Sequence, residues 1–188
     1  MQAILFDTET TDLIHNHAIP LDQQPRIIEI YALKIQLPAD AFGSAEEWQF
    51  VDEFESFVNP GIKITDEITR ITNITNADVR DAPRIAELWP RLRDFFATAD
   101  MVVAHNVSYD MGVIDFEQLR VNDKQKFPWP PKRLCTVEAT EHLKGHRLSL
   151  TALHEQLFGV KFEGAHRART DVKAMTMCFK KLWEDCEI

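Results

Sequence analysis

The sequence predicts an α/β fold: a mixed five-stranded sheet flanked by helices. Three observations point to it. The first 58 residues hold three runs that read as strands. From residue 65 onward, apolar residues recur at helical spacing. From residue 101, a strand–helix–strand return can close the sheet. At 188 residues and 45% apolar content, the chain has the size and the core material of one domain.

Residues 2–7 (QAILFD) form a short apolar run ending in an acid, a buried strand. A polar loop runs from Thr10 to Pro25, and residues 26–36 (RIIEIYALKIQ) make a second strand. Residues 37–48 carry Pro38, Gly43 and Ser44 and read as a turn or insertion. Residues 49–58 (QFVDEFESFV) alternate as a third strand, stopped by Asn59-Pro60-Gly61. These three strands are expected to form an antiparallel meander. Residues 65–71 and 76–80 are short helices. Residues 84–98 place Ile85, Leu88, Trp89, Leu92, Phe95 and Phe96 on one helical face, with Pro90 expected to kink the helix or begin a second piece. Residues 101–105 (MVVAH) form a buried strand, followed by a helix over 108–121 capped by Ser108. After the proline-rich loop 128–131, Leu134-Cys135-Thr136 suggests a fifth strand. Helices near 136–143 and 149–158 follow, the latter closed by Gly159, and a final helix spans 167–184. There are no repeats and no low-complexity tract.

No run approaches the roughly 18 apolar residues of a membrane helix. The start, Met-Gln-Ala-Ile-Leu-Phe-Asp, lacks the basic region and apolar stretch of a signal peptide. Cys135, Cys178 and Cys186 are odd in number and not spaced as C-x-x-C, so they read as reduced thiols of a cytoplasmic protein. The net charge of −9 argues against broad coating of nucleic acid. Its distribution is uneven, however. Residues 120–147 hold seven Lys/Arg against three Asp/Glu, whereas 39–55 hold six acids and no base. A small basic strip would suit a grip on a few nucleotides, and both runs also suit solvated faces.

The chemistry lies in three places. Asp7 and Glu9 stand in Phe6-Asp7-Thr8-Glu9-Thr10-Thr11. Asp110 stands in His105-Asn106-Val107-Ser108-Tyr109-Asp110, and His166 and Asp171 in His166-Arg167-Ala168-Arg169-Thr170-Asp171. Residues two apart on a strand share a face, so Asp7 and Glu9 project together, ~7 Å apart along the chain. Asp110 falls in the first turn of its helix, where the dipole tolerates an anion. His166 and Asp171, five apart, sit about 140° off a common helical face. His166 is therefore placed on the loop before the helix, with Asp171 one turn inside, and Gly164 allows that loop to move. Four carboxylates gathered at one point repel strongly unless cations sit among them, which makes the set a metal-site candidate.

With its Thr-Thr after the first acid pair, this set resembles the DEDDh 3′–5′ exonucleases of the RNase H-like superfamily, and especially the proofreading, epsilon-like exonucleases of bacterial DNA polymerase III. Asp7-x-Glu9, Asn106-x3-Asp110 and His166-x4-Asp171 come in the family's order and span nearly the whole chain. The resemblance implies a single RNase H-like exonuclease domain over 1–188. It implies two divalent cations, Mg²⁺ or Mn²⁺, with Asp7 bridging both, Glu9 and Asp171 on the first, and Asp110 acting through bound water. It makes His166, as a neutral imidazole, the base toward the attacking water. Nucleoside 5′-monophosphates would leave from single-stranded DNA 3′ ends. Thr10, Leu13, His105, Asn106 and Tyr109 would line the terminal nucleotide: Thr10 by its backbone, Leu13 as a wedge, Tyr109 as an aromatic face. Ile68 to Thr75 (ITRITNIT) is similar to the family segment ending in Gly-Ile-Thr.

Two positions depart from that pattern. Asp12 follows the Thr-Thr where the family has Gly, and Asn73 replaces the Gly of Gly-Ile-Thr; both residue types tolerate positive φ better than most. His15 and His17 read as solvated loop residues, and His142, His146 and His154 lack matching cysteines for a zinc site. Two rivals follow from the same residues. One is a 3′ RNA-trimming ribonuclease, because the 2′-OH is read by pocket shape. The other is a non-catalytic binding or scaffold subunit, which the five filled catalytic positions disfavour. The last helix is followed almost at once by Ile188, so tethering to a polymerase through a long tail is not expected.

Overall fold

The computed structural model describes residues 1–15, 18–38 and 48–185. Five strands, β1 (Gln2–Thr10), β2 (Ile27–Gln36), β3 (Gln49–Phe57), β4 (Met101–Ala104) and β5 (Lys132–Cys135), make one sheet in the order β3-β2-β1-β4-β5. β1, β2 and β3 pair antiparallel, as the predicted meander requires, while β4 lies parallel to β1 and β5 parallel to β4. The helices are α1 (Asp66–Thr72), α2 (Asn76–Arg80), α3 (Ile85–Ala97), α4 (Val107–Arg120), α5 (Thr136–Ala139), α6 (Leu150–Phe158) and α7 (Ala168–Glu184). The architecture is the mixed five-stranded sheet flanked by helices that the sequence predicts.

The two-residue period of β1 sorts its side chains between two cores. Ile4 and Phe6 join Trp89, Leu92, Phe96 and Ile114, so one face packs against α3 and α4. Ala3 and Leu5 join Val172, Met175 and Phe179, so the other face packs against α7. β4 divides the same way, with Val102 and Ala104 on the first side and Met101 and Val103 on the second. Phe6 meets Phe96 edge to face at 5.3 Å between ring centroids; burying one such side chain contributes ~1.5–3 kcal/mol. Lys34, on β2, ties down the C-terminal end of α3 through its ammonium, which donates to the Phe95 carbonyl and the Thr98 hydroxyl, each at 2.7 Å.

Several boundaries differ from expectation, each for a physical reason. β1 runs three residues past Asp7 because Thr8, Glu9 and Thr10 still pair with β2, opposite Ile30, Glu29 and Ile27. Backbone pairing, not side-chain polarity, ends a strand. The register slips between Glu9 and Thr10. α3 passes through Pro90 as one helix; Pro90 lies on the exposed side, where the carbonyl left without its N–H can meet water. α4 is capped not by Ser108 but begins after Asn106, whose φ is 81°. The Ser108 hydroxyl donates to Asn106 Oδ1 at 3.3 Å. The helix expected near 136–143 is α5 followed by a short 3₁₀ turn, Glu141–Leu143. Gly159 closes α6 at φ 74°, as expected.

Cys135 and Cys178 are buried and unbridged, and burial pushes the Cys178 thiol up to about 12. Cys186, His17 and most of the 37–48 insertion lie outside the described residues. Among the described residues, no helix is long and apolar enough to cross a membrane.

Candidate active site

The face rule that sorts the core also builds the site. Asp7 and Glu9 continue the series of Ala3 and Leu5, so they project toward α7, whose first turn carries Asp171. Asp7, Glu9 and Asp171 each offer one oxygen, and the three atoms lie within 4.8 Å of one another. Thr8 belongs to the opposite face and meets α4. Its backbone N–H and hydroxyl both donate to Asp110 Oδ1, at 3.0 and 2.7 Å. Asp110 is thus anchored to the strand from one side while Asp171 arrives from the other. All four carboxylates, with His166, line one open cavity of about 490 Å³.

Crowding sets the electrostatics. Burial, then the charges of Asp110, Glu9 and Asp171, hold the Asp7 carboxyl well above the usual carboxylate range. Burial, with Asp171 and Glu29 nearby, pushes Glu9 up to about 8. Burial raises Asp110 to about 7 against the pull of the Thr8 hydrogen bonds. It raises Asp171 to about 6, although the His166 N–H donates to Asp171 Oδ2 at 3.1 Å. The other oxygen of Asp171 is buried and has no hydrogen-bond partner. A buried oxygen left bare, beside acids whose mutual charge is uncompensated, fits a divalent cation with hard oxygen ligands.

His166 is exposed, at φ 65°, two residues after Gly164 at φ 76°. It stands on the loop before α7, where the sequence placed it. Leu13, Thr10 and Tyr109 also line the cavity. Leu13 is 71% exposed. The Tyr109 hydroxyl lies 2.7 Å from Thr10 Oγ1 and donates to the Asp12 carbonyl at 3.0 Å. Ile68 and Ile71 of α1 also line the cavity. The two departures from the family pattern are absorbed differently. Asn73 takes φ 60° at the end of α1, while Asp12 is outside the left-handed region and its carboxylate accepts from the Leu13 N–H at 2.8 Å.

His105 and Asn106 behave otherwise. His105 borders the cavity, but both ring nitrogens are engaged, at 2.9 Å by the Thr136 hydroxyl and at 3.0 Å by the Leu148 carbonyl. Because a carbonyl only accepts, Nε2 carries the proton. Burial holds this imidazole down to about 4, so it is neutral. Asn106 is not among the residues lining the cavity; its Oδ1 takes the Ser108 hydroxyl and Arg147.

Two participants escape the sequence motifs. Thr8, which aims Asp110, looks like a spacer between two acids. Glu29 is 3% exposed, lies directly across from Glu9, and binds Arg167 and the N–H of Ala168. Its signal was a single acid inside the apolar run Ile27-Ile28-Glu29-Ile30, where a fully buried charge implies a partner.

Residues 4–179 match the family model described as exonuclease, of the RNase T type. The chain belongs to this exonuclease family. The DEDDh 3′–5′ exonuclease assignment read from the three motifs stands. Among related proteins, the PolC-type DNA polymerase III of Caldanaerobacter subterraneus subsp. tengcongensis is 34% identical over 185 residues, covering 96% of this chain and 11% of that protein. The PolC-type enzyme of Clostridium perfringens is 30% identical over 189 residues, covering 98% and 12%. The chain thus spans about a ninth of the length of these relatives. Among solved structures, the nuclease domain of 3′hExo, a DEDDh family member bound to rAMP, superimposes with a TM-score of 0.75 at 16% identity, covering 100% of this chain and 94% of that one. Exonuclease X in complex with 5′ overhanging duplex DNA gives 0.60 at 23% identity, covering 95% and 90%. At these identities the superpositions establish the fold.

Proposed function

We propose that this exonuclease removes nucleoside 5′-monophosphates from single-stranded DNA 3′ ends, using two divalent cations, Mg²⁺ or Mn²⁺. The carrying observation is the meeting of Asp7, Glu9 and Asp171 oxygens within 4.8 Å, in the cavity that also holds Asp110, His166 and Leu13. The similarity to DNA polymerases favours DNA over RNA.

Asp7, Glu9 and Asp171 would hold the cations, with Asp110 contributing from the other face of β1. Bound there, the pair supplies charge neutralisation for the attacking and leaving oxygens of the phosphodiester. The chain's own residues do the rest. Leu13, exposed at the cavity edge, separates the last base from its neighbour. Tyr109 offers an aromatic face whose hydroxyl is already tied to Asp12, so the ring is held before substrate arrives. His166 accepts the proton of the attacking water at a ring nitrogen, from an exposed position open to exchange with solvent. His105, neutral and tied at both nitrogens, fixes the corner between β4 and α4.

Matched 5′-labelled DNA and RNA oligomers, single- and double-stranded, with Mg²⁺ or Mn²⁺, test this directly. Linear single-stranded DNA should shorten from its 3′ end to monophosphates, and a circular strand should resist. Efficient cutting of the circle overturns the exonuclease polarity, and a strong preference for RNA overturns the sugar assignment.

A further inference from the structure

His166 has a left-handed backbone, is exposed, and has one backbone hydrogen bond to the site, from its N–H to Asp171. A general base held so lightly needs another fixture, and the next residue provides it. Arg167 donates from Nε to Glu29 Oε2 at 3.1 Å and from Nη2 to Glu29 Oε1 at 2.7 Å, a bidentate pair. Glu29 Oε2 also accepts the N–H of Ala168 at 2.9 Å. That N–H belongs to the first residue of α7, whose N-cap, Arg167, makes no side-chain cap of its own. Glu29 therefore caps α7 from a different strand while it grips the residue after His166.

The placement of Glu29 has no other account. It stands opposite Glu9 in the register of β1 and β2, on the same face, and like charges so placed repel. Its side chain is 5% exposed. An acid there is tolerated because a guanidinium and a helix N-terminus neutralise it. With both oxygens committed to Arg167 and Ala168, Glu29 is not available as a ligand, and it does not belong to the group formed by Asp7, Glu9 and Asp171. Its charge serves the loop rather than a cation.

We propose that Glu29 and Arg167 are positioning residues that hold His166 at the reacting water, a clasp from the strand beside the ligands to the loop that carries the base. The proposal rests on the reading of His166 as general base. Arg169, two residues on, serves as a control: it pairs with Glu53 and Glu55, all three side chains being 38–44% exposed, and it points away from Glu29 to β3.

The test is single-turnover cleavage of a 5′-labelled single-stranded DNA oligomer with Mn²⁺, with KM and Mn²⁺ affinity measured alongside. Glu29→Gln keeps the side-chain volume, and Arg167→Lys keeps the charge but loses the bidentate grip. Each should lower kcat roughly 10–100-fold, the scale of a misplaced reacting group. KM and Mn²⁺ affinity should stay within a few-fold of the parent, and Arg169→Gln should leave kcat near normal. In a His166→Ala background, Glu29→Gln should cost nearly nothing more, because groups acting through one residue are not additive. If Glu29→Gln does not fold, Arg167→Lys carries the comparison. Normal kcat in the clasp variants, or an undiminished cost without His166, overturns the proposal while leaving the general base intact. A near-normal rate in His166→Ala alone overturns the general-base reading, and the clasp's role with it.

Discussion

The two halves of the candidate site are built from opposite materials. Asp7 and Glu9 belong to the central strand, which pairs with β2 along its length and with β4 over residues 3–5, and packs helices against both faces. His166 belongs to an exposed loop with two left-handed residues in three and is held by a backbone hydrogen bond to Asp171 and by the clasp beneath it. The difference follows from what each must do. Ligands for a highly charged cation must keep their spacing against mutual repulsion, which only a rigid element can enforce. A base must receive a proton and release it to water, which an exposed residue does better.

The largest expected effect breaks the rigid half. Asp7→Asn should abolish turnover and reduce Mn²⁺ binding measured by calorimetry, yet raise the metal-free stability at pH 8, because it removes a buried acid from beside Asp110, Glu9 and Asp171. An active variant with unchanged metal stoichiometry contradicts the ligand assignment. Next comes His166→Ala, which should lose ~10²–10⁴-fold in kcat while binding Mn²⁺ as the parent does. His166→Gly should be equally inactive but more stable than the alanine variant by ~1 kcal/mol, because glycine adopts positive φ without the Cβ penalty. Equal melting of the two denies that the loop carries backbone strain.

A third comparison uses pH. The folded-state pKa values of Glu9, Asp110 and Asp171 are raised, to about 8, 7 and 6. The folded protein therefore holds protons that the unfolded chain releases. Without metal, stability should be complete below the ordinary carboxylate range and decline as pH rises through about 6 to 8. Cations should cancel that decline by replacing the protons. Melts from pH 4 to 9, with EDTA or Mn²⁺, check this; a flat metal-free profile removes the electrostatic account of the site. The smallest effect is at the rim. Leu13→Ala should raise KM a few-fold and leave both kcat and the melting temperature nearly unchanged, because the residue is mostly exposed. A clear loss of stability would show that it packs.

Much of this was legible in the sequence because it is local. Asp7 and Glu9 share a face by the period of a strand, and Asp171 stands in the first turn of a helix that His166 precedes. The same rules left Ser108 as a helix cap and Pro90 as a kink or the start of a second piece, because propensity does not see that Asn106 takes the left-handed cap or that one helix runs on through Pro90 on its exposed side.

By itself the sequence determined the strands, the helices, the three acidic motifs and the faces on which their side chains lie, since periodicity and spacing act over a few residues. Only the tertiary structure decided that Thr8 aims Asp110 across 102 residues, that His105 is tied at both nitrogens, and that Glu29 reaches 138 residues along the chain to grip Arg167. These contacts depend on strand register and on which helix covers which face of the sheet. Both are set by how the whole core packs, which no short window of sequence contains.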